Sequence, residues 1–500
     1  MKRRTMVMGL AAAAATPAIG GGYSAAAAGS AGSDPLAFDK DAYTTETKTV
    51  STDDGDKQVT YRLYKGVVYV AKPVDTKYQS LNVSVPVEID GKAVDATHAP
   101  ILLANRIGGY LSSSVTDDSG GGPGGPGGPG GPGTPGGMAG NADHGLASGY
   151  VVVEPGARGR DLVASDGTYY GVAPAAIVDL KAAVRYLRHN EGRVPGNTDR
   201  IVSSGTSAGG ALSALLGASG DSPLYDAYLR EIGAADAGDA IFAAGGWCPI
   251  ADLEHADMAY EWMFGGSELS SGEVVDQTVS KQVSAAFADY QASLRLRGEK
   301  GFGPLTARTY DDYLLKTYLQ PAATRYLTAL PDADRAAYLA DHTWITWSGG
   351  RATFAWADFL GHVGRKKNVP AFDSFDLSAP ENNLFGQGTT RARHFTPYSL
   401  RHTSGDTGAR LDRDLPLKLD LMNPMHFIGQ ANPGRARHWW LRVGTSDTDT
   451  SLTVVGNLAA GLENLGDDVN ALMYWDAGHG ANQDPGDFMR WIGEVTGYRA

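Results

Sequence analysis

Ser207 stands between glycines in Gly205-Thr206-Ser207-Ala208-Gly209-Gly210, at the spacing G-x-S-x-G. A serine hydroxyl attacks a carbonyl efficiently only when a base takes its proton, so the chemistry this points to is acyl transfer and a base must stand elsewhere. Of the 11 histidines, one lies in the last 60 residues: His479, in Trp475-Asp476-Ala477-Gly478-His479-Gly480. The acid that orients such a base is sought in Gly444-Thr445-Ser446-Asp447-Thr448-Asp449, where Asp447 and Asp449 are both candidates, two residues apart. Asp447 is assigned to hold the His479 imidazole and stabilise its protonated form. The oxyanion of the tetrahedral intermediate needs N–H donors. Ala208, directly after the nucleophile, supplies one, and Gly108-Gly109 is the nearest source of the other, with Gly109 chosen. An aspartate pair also suggests calcium or magnesium, but no further ligand cluster accompanies it, and no metal or cofactor is expected.

These groups need a rigid frame. Residues 201–204 (Ile-Val-Ser-Ser) read as a strand and precede the turn, and the small and apolar run 208–216 follows it, so Ser207 sits between a strand and a helix. G-x-S-x-G in that setting is the nucleophile elbow of an α/β hydrolase, whose chain order of serine, acid and histidine the three groups obey. Further strands are expected at 60–64, 66–70, 81–87, 101–104, 150–153, 241–246, 439–443 and 470–475. Helices are expected at 174–189, 452–465 and 488–495. Alternating strands and helices imply a mostly parallel central sheet with helices on both faces. From 252 to 428 the pattern changes to charged, aromatic, irregular helices (282–296, 311–326, 336–341), which reads as a large inserted, mainly helical lid between core segments 34–251 and 429–500.

The whole chain has 500 residues, with 43 basic and 56 acidic side chains and a net charge of −13. That balance leaves no basic block for nucleic acid. A single cysteine, Cys248, rules out an intramolecular disulfide framework and is read as a small buried hydrophobe. Lys2-Arg3-Arg4, an apolar stretch and small residues through Ala28 form a twin-arginine-like signal over 1–28, which predicts a secreted, extracellular protein. No later apolar run could span a membrane, and a monomer is expected. Residues 119–137 repeat glycine and proline, a composition that reads as a disordered surface loop.

Several stretches resemble the bacterial tannases, α/β hydrolases with a large lid. They are IGGYL (107–111), GYVVV with GARGR (149–160), PAAIVDLKAAVRYLRHNEGRVPG (174–196), GTSAGGALSALLGASG (205–220), CPIADLEHADMAYEW (248–262), VPAFDSFDLSAPENNLFG (369–386) and DTDTS (447–451). The resemblance covers nearly the whole mature chain. It implies a serine esterase that releases gallic acid from the galloyl esters of hydrolysable tannins, with a small polyphenol ester as partner. By the same resemblance Ser207, Asp447 and His479 form the triad and Gly109 and Ala208 bind the oxyanion. Lys367, Glu381 and Asp449 then hold the three adjacent hydroxyls of the galloyl ring. The alternative on the same fold is a feruloyl esterase or general carboxylesterase, to which Lys367 and Glu381 would be dispensable. A serine peptidase of this fold and a non-catalytic polyphenol-binding protein are the more distant readings.

Overall fold

The structure, a computed structural model, describes residues 34–116, 141–299 and 301–499; the leader expected at 1–28 and the Gly-Pro tract lie outside the described residues. Nine strands make the body of the central sheet: β1 (Thr44–Thr52), β2 (Gly55–Val68), β3 (Ser80–Ile89), β4 (Pro100–Ala104), β5 (Val151–Pro155), β6 (Asn197–Thr206), β7 (Ala243–Trp247), β8 (His438–Gly444) and β9 (Asp468–Tyr474). Their spatial order is β1-β2-β3-β5-β4-β6-β7-β8-β9, with the two-residue strand Lys92–Ala93 paired to β3. The first three strands are antiparallel, as is the β3–β5 pairing, and from β5 to β9 every pairing is parallel. Every residue of β4 and β7 is buried. Since neighbouring side chains point to opposite faces, both faces of the sheet centre must be covered, as expected of parallel strands.

One expectation needs correction. Residues 60–64 and 66–70 do not make two strands but largely one, β2, in which the register against β3 shifts between Tyr64 and Val67. Gly66, at φ +69°, occupies that irregularity and its N–H donates to Asn82 Oδ1 (2.9 Å), so the ladder is carried across the bulge.

Two helices frame the nucleophile. Ala175–His189 buries most of its length and carries Asp179 and Lys181 inward. Lys181 Nζ donates to Asp239 Oδ1 (2.7 Å) and to the Ser219 carbonyl (2.8 Å), at the end of helix Ala208–Ala218. Asp179 accepts hydrogen bonds from three donors on Arg158: its backbone N–H (2.8 Å), Nε (2.9 Å) and Nη2 (2.8 Å). Losing one partner of such a buried pair costs about 3–5 kcal/mol, which fixes the loop 156–160 on the helix.

Between β7 and β8 the chain forms helices including Leu253–Phe264, Gln277–Ser293, Asp332–Asp341, Trp356–Val363 and Pro380–Leu384, with two short ribbons. The helical stretch expected at 311–326 runs from Tyr310 to Ala329 with a π turn at Leu315–Leu319. The helix expected at 336–341 starts earlier, at Asp332, after Pro331 and with Asp332 and Asp334 in the first turn, where carboxylates offset the exposed N–H dipoles.

Candidate active site

The elbow is held in a strained shape. Ser207 sits at φ 61°, ψ −122°, between β6 and helix Ala208–Ala218. A non-glycine residue there costs about 1–3 kcal/mol and persists only under surrounding constraint. Its N–H donates to the Trp247 carbonyl (2.9 Å), and its carbonyl accepts from Ala211 (2.9 Å). The glycines are required because a Cβ on Gly205 would lie 2.3 Å from the Gly209 carbonyl oxygen, and one on Gly209 2.5 Å from Asn105 Oδ1.

Asn105 ties the loop after β4 to this turn. Its buried Nδ2 lies within hydrogen-bonding range of the Gly209 carbonyl (3.0 Å), Ser213 Oγ (3.0 Å) and the Ser204 carbonyl (3.2 Å), while Oδ1 accepts from Ile107 N–H (3.3 Å). Beyond it Gly109 takes φ +56°. Arg160 grips the segment twice: its Nε donates to the Gly109 carbonyl (2.7 Å) and its N–H to the Tyr110 carbonyl (3.0 Å). Arg160 belongs to the loop that Asp179 and Arg158 fix, so Gly109 is positioned from the core outward.

The histidine and acid loops interlock at the ends of β8 and β9. Ser446 N–H donates to the Ala477 carbonyl (3.0 Å), Thr445 N–H to the Tyr474 carbonyl (2.8 Å) and Asp476 N–H to Thr445 Oγ1 (2.9 Å). The result is a continuous chain: His479 Nε2 is 2.9 Å from Ser207 Oγ, and His479 Nδ1 is 2.8 Å from Asp447 Oδ2. Asp447 is fully buried, and its Oδ1 accepts the Asp449 N–H (2.9 Å). Asp449 Oδ2 lies 3.8 Å from His479 Nδ1, beyond hydrogen-bonding range, so of the two aspartates it is Asp447 that engages the imidazole. Burial disfavours the charged imidazole, but the Asp447 carboxylate and its hydrogen bond outweigh that and hold the His479 pKa above its ordinary value.

Sequence reasoning missed three neighbours. Cys248, buried and at φ 38°, has its sulfur within 4.8 Å of ligand atoms on both Asp447 and His479. The signal was its place directly after β7, beside the elbow. Lys366, not Lys367, pairs with Asp449 (2.8 Å). Lys367 Nζ instead lies 4.0 Å over the Phe372 ring. Arg365 forms a bidentate, wholly buried ion pair with Glu261, and its Nε donates to the Lys367 carbonyl (2.7 Å).

Glu381, in helix Pro380–Leu384, is 7% exposed, and its Oε2 is buried with no hydrogen-bond partner among the described residues. Burial raises its pKa, against the opposing charges of Lys367 and Arg160. Burial also presses Asp449 upward, but His479 and Lys366 hold its carboxyl below the usual range. One buried acceptor oxygen without a protein partner, in the field of Lys367 and Arg160, suits a ligand that brings its own donor.

The architecture has close parallels. The structure of a Fusobacterium nucleatum tannase superposes with TM-score 0.76 at 34% identity, covering 92% of this chain and 99% of that one. The tannin acyl hydrolase from Lactobacillus plantarum gives TM-score 0.77 and 35% identity over 92% of this chain and 98% of its own. A tannin acyl hydrolase in complex with ethyl gallate gives 0.78 and 35% over the same shares. The chain belongs to the tannin acyl hydrolases. It is accordingly a carboxylic ester hydrolase of the tannase type, on an α/β-hydrolase core. The family model BD-FAE also matches, over residues 138–286. No curated protein sequence matches.

Proposed function

We propose that this tannase hydrolyses galloyl esters by a serine acyl-enzyme route and is exported. The hydrogen-bonded run from Ser207 through His479 to Asp447 carries the reading. Ser207 Oγ attacks the ester carbonyl while His479 Nε2 takes its proton. Asp447 fixes the tautomer and stabilises the imidazolium. The N–H groups of Gly109 and Ala208 receive the oxyanion and His479 gives its proton to the departing alcohol; water, losing a proton to His479, then attacks the galloyl–Ser207 ester, and the proton passes to Ser207 Oγ as gallic acid leaves.

Ring recognition falls to the segment 365–381 and the acid loop. Phenol hydroxyls donate to Glu381 and Asp449, and the Lys367 ammonium donates to a phenol oxygen. The buried, unpartnered oxygen of Glu381 supports this, as does the ethyl gallate bound by a related tannin acyl hydrolase. Residues 252–428 act as the lid that brings Lys367 and Glu381 over the core, and the leader at 1–28 directs export.

The test is hydrolysis of methyl gallate, methyl ferulate and methyl benzoate side by side, with and without Ser207→Ala. Gallate should exceed benzoate by up to ~10⁴-fold, because an analogue without hydroxyls leaves buried polar groups unpaired. Ser207→Ala should lower every rate by about 10⁴–10⁶-fold. Equal rates on gallate and benzoate overturn the ring-binding assignment; an unchanged Ser207→Ala rate overturns the mechanism.

A further inference from the structure

A second constellation lies where the segment between β7 and β8 meets the histidine loop, and the esterase chemistry leaves it unused. His342 caps helix Asp332–Asp341, His362 sits in the last turn of helix Trp356–Val363, and Asp476 stands three residues before His479. One ligand atom from each lies within 4.8 Å of the other two. The three residues come from separate segments, as in sites that a bound ion ties together.

Their surroundings set the donor atoms. His342 Nδ1 is 2.8 Å from the Tyr338 carbonyl. A carbonyl only accepts, so Nδ1 carries the hydrogen and the lone pair of the neutral ring is left on Nε2. A backbone carbonyl fixing one ring nitrogen while the other is free is the arrangement found behind metal-bound histidines. His362 Nε2 lies 2.6 Å from Asp476 Oδ1, and Ser446 Oγ is 3.4 Å from the same oxygen. Tyr338 Oη donates to Asp476 Oδ2, and Trp475 Nε1 donates to Tyr338 Oη (2.8 Å), so the carboxylate is oriented by a chain of its own. The Tyr338 ring stacks on His342 at 4.0 Å, and Trp344 flanks His362 at 5.1 Å, limiting the rotation of both imidazoles.

We propose that His342, His362 and Asp476 form a site for a divalent transition cation of the zinc class, bolting the 332–363 segment to the loop that carries His479. Two imidazole nitrogens and one carboxylate, with water in the fourth position, satisfy a tetrahedral ion at about 2.0–2.2 Å per ligand. Hard cations are disfavoured, because calcium and magnesium call for oxygen ligands throughout.

The test uses the full chain and Zn²⁺ or Co²⁺ as the probe. Equilibrium dialysis should find one Zn²⁺ per chain, and saturating Zn²⁺ should raise Tm by roughly 2–5 °C. His342→Gln and His362→Gln should each weaken binding by about 100-fold or more and abolish the shift, while esterase activity without metal shows that they fold. Co²⁺ should give visible ligand-field bands without thiolate charge transfer. No binding, or binding that both histidine variants retain, overturns the proposal. Binding that inhibits, shows thiolate charge transfer and disappears in Cys248→Ser also overturns it, since it moves the ion to Cys248 and His479.

Discussion

Glu381→Gln separates ring recognition from the acyl-transfer chemistry. The carboxylate is buried, one oxygen has no partner among the described residues, and Lys367 and Arg160 are the cations that favour its charged form. A phenol hydroxyl donating to that oxygen makes a charge-assisted hydrogen bond, worth about 1.5–3 kcal/mol. At about 1.36 kcal/mol per decade, its loss lowers kcat/KM on methyl gallate by about 10–150-fold. Methyl benzoate offers no hydroxyl, so its kcat/KM should stay within about threefold and the gallate-to-benzoate ratio should shrink by nearly the whole factor. Stability gives a second reading of the same substitution. Because burial raises the Glu381 pKa above its unfolded value, ionisation penalises the folded state. The penalty is absent below the ordinary glutamate range and complete above the raised pKa. Glu381→Gln should therefore raise Tm relative to the parent at pH 8 and not at pH 4. Steady-state kinetics on both esters and melting at both pH values suffice. An unchanged gallate-to-benzoate ratio refutes the ring-binding role, and a Tm difference independent of pH refutes the electrostatic account of the buried carboxyl.

Asp447→Asn should lower kcat by about 10⁴-fold. Because Asp447 is what holds the His479 pKa up, the acid limb of the pH–rate profile should also move to lower pH, and a limb that stays in place identifies another partner for the imidazole. Arg365→Met leaves Glu261 as an unpaired buried charge and should cost about 3–5 kcal/mol in urea denaturation, with Glu261→Met in the same chain restoring much of it; a loss below about 1 kcal/mol contradicts the pairing. Arg160→Met removes one grip on Gly109 and should reduce kcat by about tenfold, less than the 10²–10³-fold seen for outright loss of an oxyanion donor. Methyl benzoate should suffer as much as gallate from that change, unlike the response to Glu381→Gln.

The parts of the site legible in the sequence are those fixed by short-range geometry. The elbow is local: a strained serine between a strand and a helix, with glycines where a Cβ would strike backbone, leaves a pattern six residues long. His479 was legible from chain order and its loop. The choice between Asp447 and Asp449 was not a matter of spacing, since both follow β8; it is decided by the loop's fold, which puts one carboxylate at 2.8 Å from the imidazole and the other at 3.8 Å. Lys366 and Lys367 are adjacent in sequence, and their directions are set by Tyr260 and Arg365, more than 100 residues away in one case. Cys248 looked like packing, and it is buried; its place directly after a strand near the elbow hinted at the site, but its approach to the histidine loop is a tertiary fact. The merged strand at β2 has the same character, since Gly66 reads as a break until Asn82 on the neighbouring strand satisfies its N–H.

Tyr260 joins the two halves of the site. It is fully buried; its Oη donates to the Thr448 carbonyl (2.8 Å), between Asp447 and Asp449, and accepts from the Lys367 N–H (3.0 Å). One hydroxyl thus sets the distance between the acid loop and the 365–367 turn. Asp447 has independent anchors, accepting the Asp449 N–H and donating its own N–H to the Gly444 carbonyl (3.2 Å), so the triad does not depend on Tyr260. The placement of Lys367 relative to Asp449 does. Tyr260→Phe keeps the ring and takes the partner hydroxyl from the half-buried Thr448 carbonyl and Lys367 N–H, at a cost of about 1 kcal/mol. Labelling of Ser207 by a fluorophosphonate should proceed at nearly the parent rate, while kcat/KM on methyl gallate falls about tenfold or more and that on methyl benzoate changes little. If labelling and gallate turnover fell together, the hydroxyl would be supporting the acid loop itself, and the separation of chemistry from recognition argued from these contacts would fail.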